Sequence, residues 1–364
     1  MGRRAYSIAI ELTAHCNQKC TYCYNSWRED DGKSVGAPEK EVLLARVTRL
    51  VDALCPDHVT LTGGEPFANN DVWEVMDVLR DRKIRMQIIS NGGLVTDKVA
   101  ARLAPYRPSY VQVTFDGPNA ELHEEHTGRG KGHFEKTIAG IKAMQGAGVR
   151  VGGCIVMTRK NARVTGEILA LFTSLGIDQI ALSRFSPAGY AARHVAELLP
   201  SVAEAHIALE QCLVYAKNGM HVVCTMPMPP CAIEVERFAP IEFGACAIGT
   251  EMQEIALGPD GRLRNCTLHG SSILEGDVLD IDLSALLDAP NVRDYKSTVP
   301  EFCRGCLHEK TCGGGCGAAA QWVLGDRSMP DPFVWQHIDD AFAARLEALR
   351  TPEHKEKRRL EIVP

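Results

Sequence analysis

From residue 7 to about 217, short runs of β-branched residues alternate with longer amphipathic stretches. The runs "SIAIELT", "HVTLTGG", "RMQIISNG", "YVQVTFDG", "RVGGCIVMT" and "QIALSRFS" have the length and composition of strands. Between them, "EKEVLLARVTRLVDAL" and "FEKTIAGIKAMQGAG" place Leu, Ile, Val and Ala every three or four residues, the period of a helix with one buried face. Six strand–helix repeats predict a parallel sheet, because parallel strands need a crossover long enough for a helix. Such a sheet either opens flat between helical layers or curls into an incomplete (β/α)6 barrel. The residues that follow the strands favour the barrel. Cys16–Cys23 follows the first strand, "GGEP" (Gly63–Pro66) the second, "SNGG" (Ser90–Gly93) the third and "TFDG" (Thr114–Gly117) the fourth. In a parallel barrel these loops gather at one mouth, where active sites are built. The expected fold is therefore α/β, a partial TIM-like barrel over residues 5–217, and the expected class is an enzyme.

After residue 219 the texture changes. "MPMPPC" is rich in proline, the alternation fades, and Cys231, Cys246, Cys266, Cys303, Cys306, Cys312 and Cys316 crowd together. This predicts a small domain of short strands and loops over residues 219–334, stapled by metal. A helix from about Trp335 to Leu349 then opens a C-terminal stretch, 335–364, whose basic run "EHKEKRRLEIVP" reads as a solvated tail.

Composition narrows the function. With 364 residues, 45% hydrophobic and 24% charged, the chain resembles an ordinary globular protein with room for a barrel and a smaller unit. A net charge of −6 argues against nucleic acid as a partner. The N-terminus begins like a signal peptide, but Glu11 and His15 interrupt the apolar stretch, and Tyr6 stands where myristoylation needs Ser or Thr. No run approaches about 18 apolar residues, so no membrane span is expected and the cytoplasm is the expected location. Thiols stay reduced there, so fourteen cysteines point to metal rather than disulfides.

Three thiolates spaced Cys16-x3-Cys20-x2-Cys23 cannot complete a structural zinc site, but they can hold three irons of a [4Fe–4S] cluster and leave the fourth open. With Tyr22 just before the last cysteine, the stretch resembles the signature of radical S-adenosylmethionine enzymes. That resemblance implies that the amino and carboxylate groups of the methionine moiety chelate the open iron. Reductive cleavage then yields a 5′-deoxyadenosyl radical that abstracts a substrate hydrogen. It also implies cofactor-binding roles: Gly63, Gly64 and Glu65 toward the methionine amino group, Ser90 and Asn91 toward the ribose, Thr114 and Asp116 toward the nucleoside, and Tyr22 beside the cluster. Each of these loops also reads as ordinary turn chemistry. Arg184, ending the sixth strand, either pairs with a carboxylate of cofactor or substrate or serves the barrel rim. No residue is assigned as a general base.

The second cysteine group, Cys303-x2-Cys306-x5-Cys312-x3-Cys316 with Cys246 and Gly261-x4-Cys266 upstream, resembles the SPASM extension of such enzymes. The resemblance implies one or two auxiliary iron–sulfur clusters. Cys246, Cys266 and Cys316 would serve the first, with Cys231 as fourth ligand and Cys224 in reserve; Cys303, Cys306 and Cys312 would serve the second. The family's final cysteine has no counterpart, Val334 standing near its place, so Asp331, Asp326, His337, His308 or an open iron completes the second cluster. A zinc ribbon built from Cys303, Cys306, Cys312 and Cys316 is the alternative. Cys55, Cys154 and Cys212 read as small buried hydrophobes.

Auxiliary clusters offer a one-electron sink, which favours net oxidation. Of such enzymes the chain most resembles those that oxidise or cross-link a ribosomally made precursor peptide, as in pyrroloquinoline quinone biosynthesis. Small-molecule dehydrogenases and epimerases share the framework. The sulfatase-maturing enzymes are a third reading, against which Thr267 after Cys266 counts, and a zinc-binding interaction protein is a fourth. The implied partners are a reducing flavodoxin or ferredoxin and, since few residues precede the first strand, a separate peptide-recognition protein.

Overall fold

A computed structural model describes residues 7–128, 130–341 and 344. The six predicted strands form as β1 (Ser7–Glu11), β2 (His58–Thr62), β3 (Arg85–Ser90), β4 (Val111–Thr114), β5 (Val151–Met157) and β6 (Gln179–Arg184). They lie side by side in chain order and all are parallel. Helices Lys40–Leu54 and His133–Gly146 fall where the apolar period placed them. The first ends at Cys55, whose left-handed φ of 43° turns the chain just before Pro56.

Side-chain alternation along the strands shapes the sheet. Ile8, Ile10, Val59, Leu61, Met86, Ile88, Val111 and Val113 point to one face and are buried in the core with the helices. On the opposite face the register sets Ala9 beside Thr60, Thr60 beside Gln87, Ile89 beside Gln112 and Thr114 beside Cys154. All of these residues line one cavity of about 540 Å³. One face of five adjacent strands can enclose a single cavity only if the sheet curls around it, which selects the partial barrel over the flat sheet.

The sheet continues past the six strands. β7 (His221–Cys224) and β8 (Glu242–Phe243) extend it in parallel beyond β6. β9 (Glu254–Leu257) pairs in parallel with β1 at the other edge, and β10 (Leu263–Arg264) closes that edge antiparallel. Between β8 and β9 the chain therefore crosses from one edge of the sheet to the other, and Ala245–Ile248 join the cavity wall on the way. Three arginine–carboxylate pairs, Glu11–Arg264, Arg46–Asp277 and Arg184–Asp331, bind the late segments to the barrel. A helix runs from Pro332 to Ile338, three residues ahead of the expected start at Trp335, because Asp331 caps it through the Phe333 N–H at 2.9 Å. The expected end at Leu349 and the basic run "EHKEKRRLEIVP" lie outside the described residues. Among the described residues no helix is long and apolar enough to cross a membrane.

Candidate active site

The loop after β1 carries Cys16, Cys20 and Cys23 to the cavity wall. Turns hold it: the Cys23 N–H donates to Cys20 O at 3.2 Å, while the Lys19 and Thr21 N–H groups donate to Thr127 O and His126 O. The side chain of Arg28 is buried and donates to Gln18 O at 2.9 Å, bracing the loop. Burial and the neighbouring Glu65 push the Cys16 thiol up to about 12, and burial raises Cys20 and Cys23 as well. Without a cation these thiols hold their protons; a coordinating iron reverses that preference.

"GGEP" fits against this loop. Gly64 N–H donates to Thr13 O at 2.7 Å and Glu65 N–H to His15 O at 2.8 Å. A Cβ at Gly64 would collide with the His15 carbonyl, so the two glycines admit the chain's own backbone. Glu65 is fully buried. Its Oε1 accepts from Ser90 Oγ at 2.7 Å and from Phe67 N–H at 3.3 Å, and its Oε2 accepts from Asn91 N–H at 2.8 Å. Burial nonetheless outweighs these bonds and pushes its carboxyl up to about 7. Asn91 interlocks with Asn17 through a 2.7 Å hydrogen bond and approaches Cys16 Sγ at 3.8 Å. One connected network thus joins the loops after β1, β2 and β3.

Of the predicted cofactor-binding residues, Tyr22, Gly63, Gly64, Glu65, Ser90, Asn91, Thr114 and Arg184 line the cavity; Asp116 does not. Asp116 is wholly buried behind the wall, where Oδ1 accepts from the Val156 N–H at 3.0 Å and the Tyr22 hydroxyl lies alongside. Its placement corrects the expected contact with the nucleoside: it buttresses Tyr22 and β5. Arg184 pairs within the chain. Its guanidinium is fully buried, pairs with Asp331 at 2.5 Å and lies 4.7 Å from the centre of the Phe333 ring, so its carboxylate partner comes from the chain itself. Asp331, a candidate cluster ligand by sequence, is engaged by Arg184, by the Cys316 N–H at 2.9 Å and by the Phe333 N–H.

The later cysteines divide into two groups. Cys246, Cys266 and Cys316 line the same cavity as the first triad, with Tyr295 among them. Burial and the nearby Cys316, Glu254 and Cys246 raise the Cys266 thiol, and burial and Asp331 raise Cys316 to about 11. Cys303, Cys306 and Cys312 do not line that cavity. Cys231 also stays off its wall, and the charges felt by its thiol are those of Cys312 and Cys306. Cys224, the reserve, is buried on β7 beside Cys212. Cys154 and Cys212 are buried as expected, but Cys55 is exposed because it terminates its helix. Among the described residues no three His, Cys, Asp or Glu side chains gather to hold a single metal ion.

Sequence reading passed over the inner row Thr60, Gln87 and Gln112, although a polar residue recurring at every second place in an apolar strand is its signal. It also passed over Glu254 on β9, which lines the cavity and whose carboxyl burial pushes up to about 7. No motif surrounds Glu254, and only the pairing of β9 with β1 brings it to the site.

Residues 10–180 match the model of the Radical SAM superfamily. That part of the chain is a radical SAM domain, and the [4Fe–4S] cluster and S-adenosylmethionine are the cofactors that go with such a domain. The chain is 26% identical over 363 residues to mycofactocin maturase MftC of Mycobacterium tuberculosis, covering 97% of this chain and 89% of that protein. It is 25% identical over 337 residues to PqqA peptide cyclase of Gluconobacter oxydans, covering 90% and 89%. Its fold resembles that of Streptococcus suis SuiB bound to the precursor peptide SuiA, with a TM-score of 0.70 and 17% identity over 90% of this chain and 75% of that one.

Proposed function

We propose that this enzyme oxidises or cross-links residues of a ribosomally made precursor peptide, starting from radical abstraction of a hydrogen. The observation that carries this reading is that Cys16, Cys20 and Cys23 share one cavity with Cys246, Cys266 and Cys316. A radical centre formed in that cavity lies beside a second set of thiols suited to an electron-accepting cluster. The full-length likeness to a mycofactocin maturase and a PqqA peptide cyclase supports a peptide as substrate.

The residues present fit the cofactors. Three thiols on one loop would hold a cubane cluster and leave one iron for S-adenosylmethionine, and the buried carboxyl of Glu65 stands beside them. When bound, cluster and S-adenosylmethionine supply a 5′-deoxyadenosyl radical. Glu65 would receive the methionine ammonium, whose charge would offset the burial that raises the carboxyl. Asn91 and Ser90 hold Glu65 in place and offer hydrogen bonds toward the ribose. Gly63 and Gly64 keep the β2 loop close to the triad, while Thr114 and Tyr22 complete the wall. Arg184 acts through Asp331 as a positioning residue.

Within this reading, residues 5–217 form the radical-generating barrel and 219–334 the auxiliary-cluster segment. The enzyme works in the cytosol, with a flavodoxin or ferredoxin as reductant and a separate protein presenting the leader peptide.

The test is anaerobic turnover with dithionite and a small peptide encoded beside the enzyme's gene. The expected outcome is 5′-deoxyadenosine in step with a peptide lighter by two hydrogens. If cofactor cleavage stays uncoupled from every such peptide but couples to a small metabolite, the dehydrogenase or epimerase reading replaces this one.

A further inference from the structure

We propose that Glu254 is the substrate-recognising carboxylate of the cavity and that it takes a positively charged group of the substrate, an ammonium or a guanidinium. The inference rests on the preceding reading in one respect, that the substrate enters this cavity.

Strand pairing places the side chain. β9 lies parallel to β1 with Glu254 in register with Ser7 and Ala256 in register with Ala9. Registered neighbours share a face of the sheet, and residues two apart on one strand do so as well. Glu254 therefore stands on the face of Ala9, and both line the cavity. The next residues along that face, Ala256 on its own strand and Ala9 on β1, stop at Cβ and leave room for the longer side chain. Glu254 is half-buried, while Ile255, Ala256 and Leu257 behind it are fully packed and hold the strand in place. On the other side β10 pairs antiparallel with β9, and Gln253 Nε2 donates to Asn265 O at 3.3 Å, which fixes the backbone on both sides of the carboxylate.

Charge then selects the ligand. Besides the thiols, the charged side chains on the cavity wall are Arg28, Glu65, Arg184 and Glu254. Three of them are engaged by the chain. Glu65 accepts from Ser90, Phe67 and Asn91, Arg184 pairs with Asp331, and Arg28 donates to Gln18 O and lies 3.7 Å from Asp31. Among the described residues no hydrogen bond or ion pair reaches the carboxylate of Glu254. The cation on the adjoining strand, Arg264, is spent on Glu11 and on the Thr267 and His269 carbonyls. The inner-row amide of Gln87 is likewise turned away, its Nε2 donating to Thr60 Oγ1 at 2.6 Å. A carboxylate withdrawn from bulk water needs a counter-charge or must keep its proton. With the chain's own cations committed elsewhere, the counter-charge comes from what enters the cavity, and ammonium and guanidinium groups supply both charge and N–H donors.

The test is equilibrium dialysis of anaerobic, cluster-loaded protein saturated with S-adenosylmethionine. The probes are Nα-acetyl-lysine methylamide and Nα-acetyl-arginine methylamide, against the neutral Nα-acetyl-norleucine methylamide. At least one cationic probe should bind roughly ten- to a hundredfold more tightly than the neutral one, as a charge-assisted hydrogen bond provides. Glu254→Gln should abolish that preference and Glu254→Asp should retain part of it. Iron content and S-adenosylmethionine binding should match the unaltered protein in both variants. Absence of a preference in the unaltered protein overturns the proposal, as does a preference that survives Glu254→Gln. Loss of iron in Glu254→Gln would make Glu254 a cluster ligand, and weakened S-adenosylmethionine binding would make it a cofactor contact; either result overturns the proposal too. None of these readouts needs a precursor peptide, so failure of peptide turnover would leave them standing. Coupled peptide turnover without a cation preference would sink this inference alone.

Discussion

Glu65 concentrates the chemistry of single residues. Its carboxyl is buried, hydrogen-bonded on both oxygens and still pushed up to about 7 from an ordinary 4.5. In the cofactor-free protein the folded state therefore keeps a proton that the unfolded chain releases. Stability should fall as pH rises from about 4.5 to 7, by up to about 3 kcal/mol from this group. Urea denaturation across that range should show the slope, and Glu65→Gln should flatten it. With S-adenosylmethionine bound, the ammonium should hold Glu65 ionised. Glu65→Gln should then weaken binding roughly ten- to a hundredfold, the loss of one charge-assisted hydrogen bond, measurable by equilibrium dialysis. At Gly64 the constraint is steric. Gly64→Ala drives a methyl into the His15 carbonyl and should cost about 1–3 kcal/mol or more, lowering both Tm and the iron held by the adjacent triad. A Gly64→Ala protein with unchanged Tm and full iron would show that the loops can separate freely.

Between elements, the wholly buried Arg184–Asp331 pair joins the end of β6 to the cap of the helix Pro332–Ile338 and to the backbone of Cys316. Asp331→Asn leaves a buried guanidinium without its counter-charge and should cost about 3–5 kcal/mol. Because Asp331 also orders Cys316, that variant should lose auxiliary-cluster iron while the Cys16–Cys23 cluster stays loaded. Equal loss from both sites would indicate general unfolding instead. The strands and long helices of the barrel were legible in the sequence, because a period of two or of 3.6 is a local property of the chain. The short strands β8 and β10 were not, since two residues carry no period and exist only as pairings.

At the scale of the whole molecule, one cavity receives cysteines from both ends of the chain because the segment between β8 and β9 crosses from one sheet edge to the other. Cys266→Ala should still cleave S-adenosylmethionine when reduced, with 5′-deoxyadenosine released but no oxidised peptide by mass spectrometry. Full product formation by that variant would remove the electron-accepting role of the second set. By itself the sequence determined the parallel α/β repeat, the loops that bear the site and the cysteine triad, since each is written in local spacing and residue chemistry. Only the tertiary structure decided that the sheet runs on past six strands at both edges, and that Asp116 and Arg184 face chain partners. These outcomes depend on which segments, far apart in the chain, are packed together, and local spacing carries no record of that.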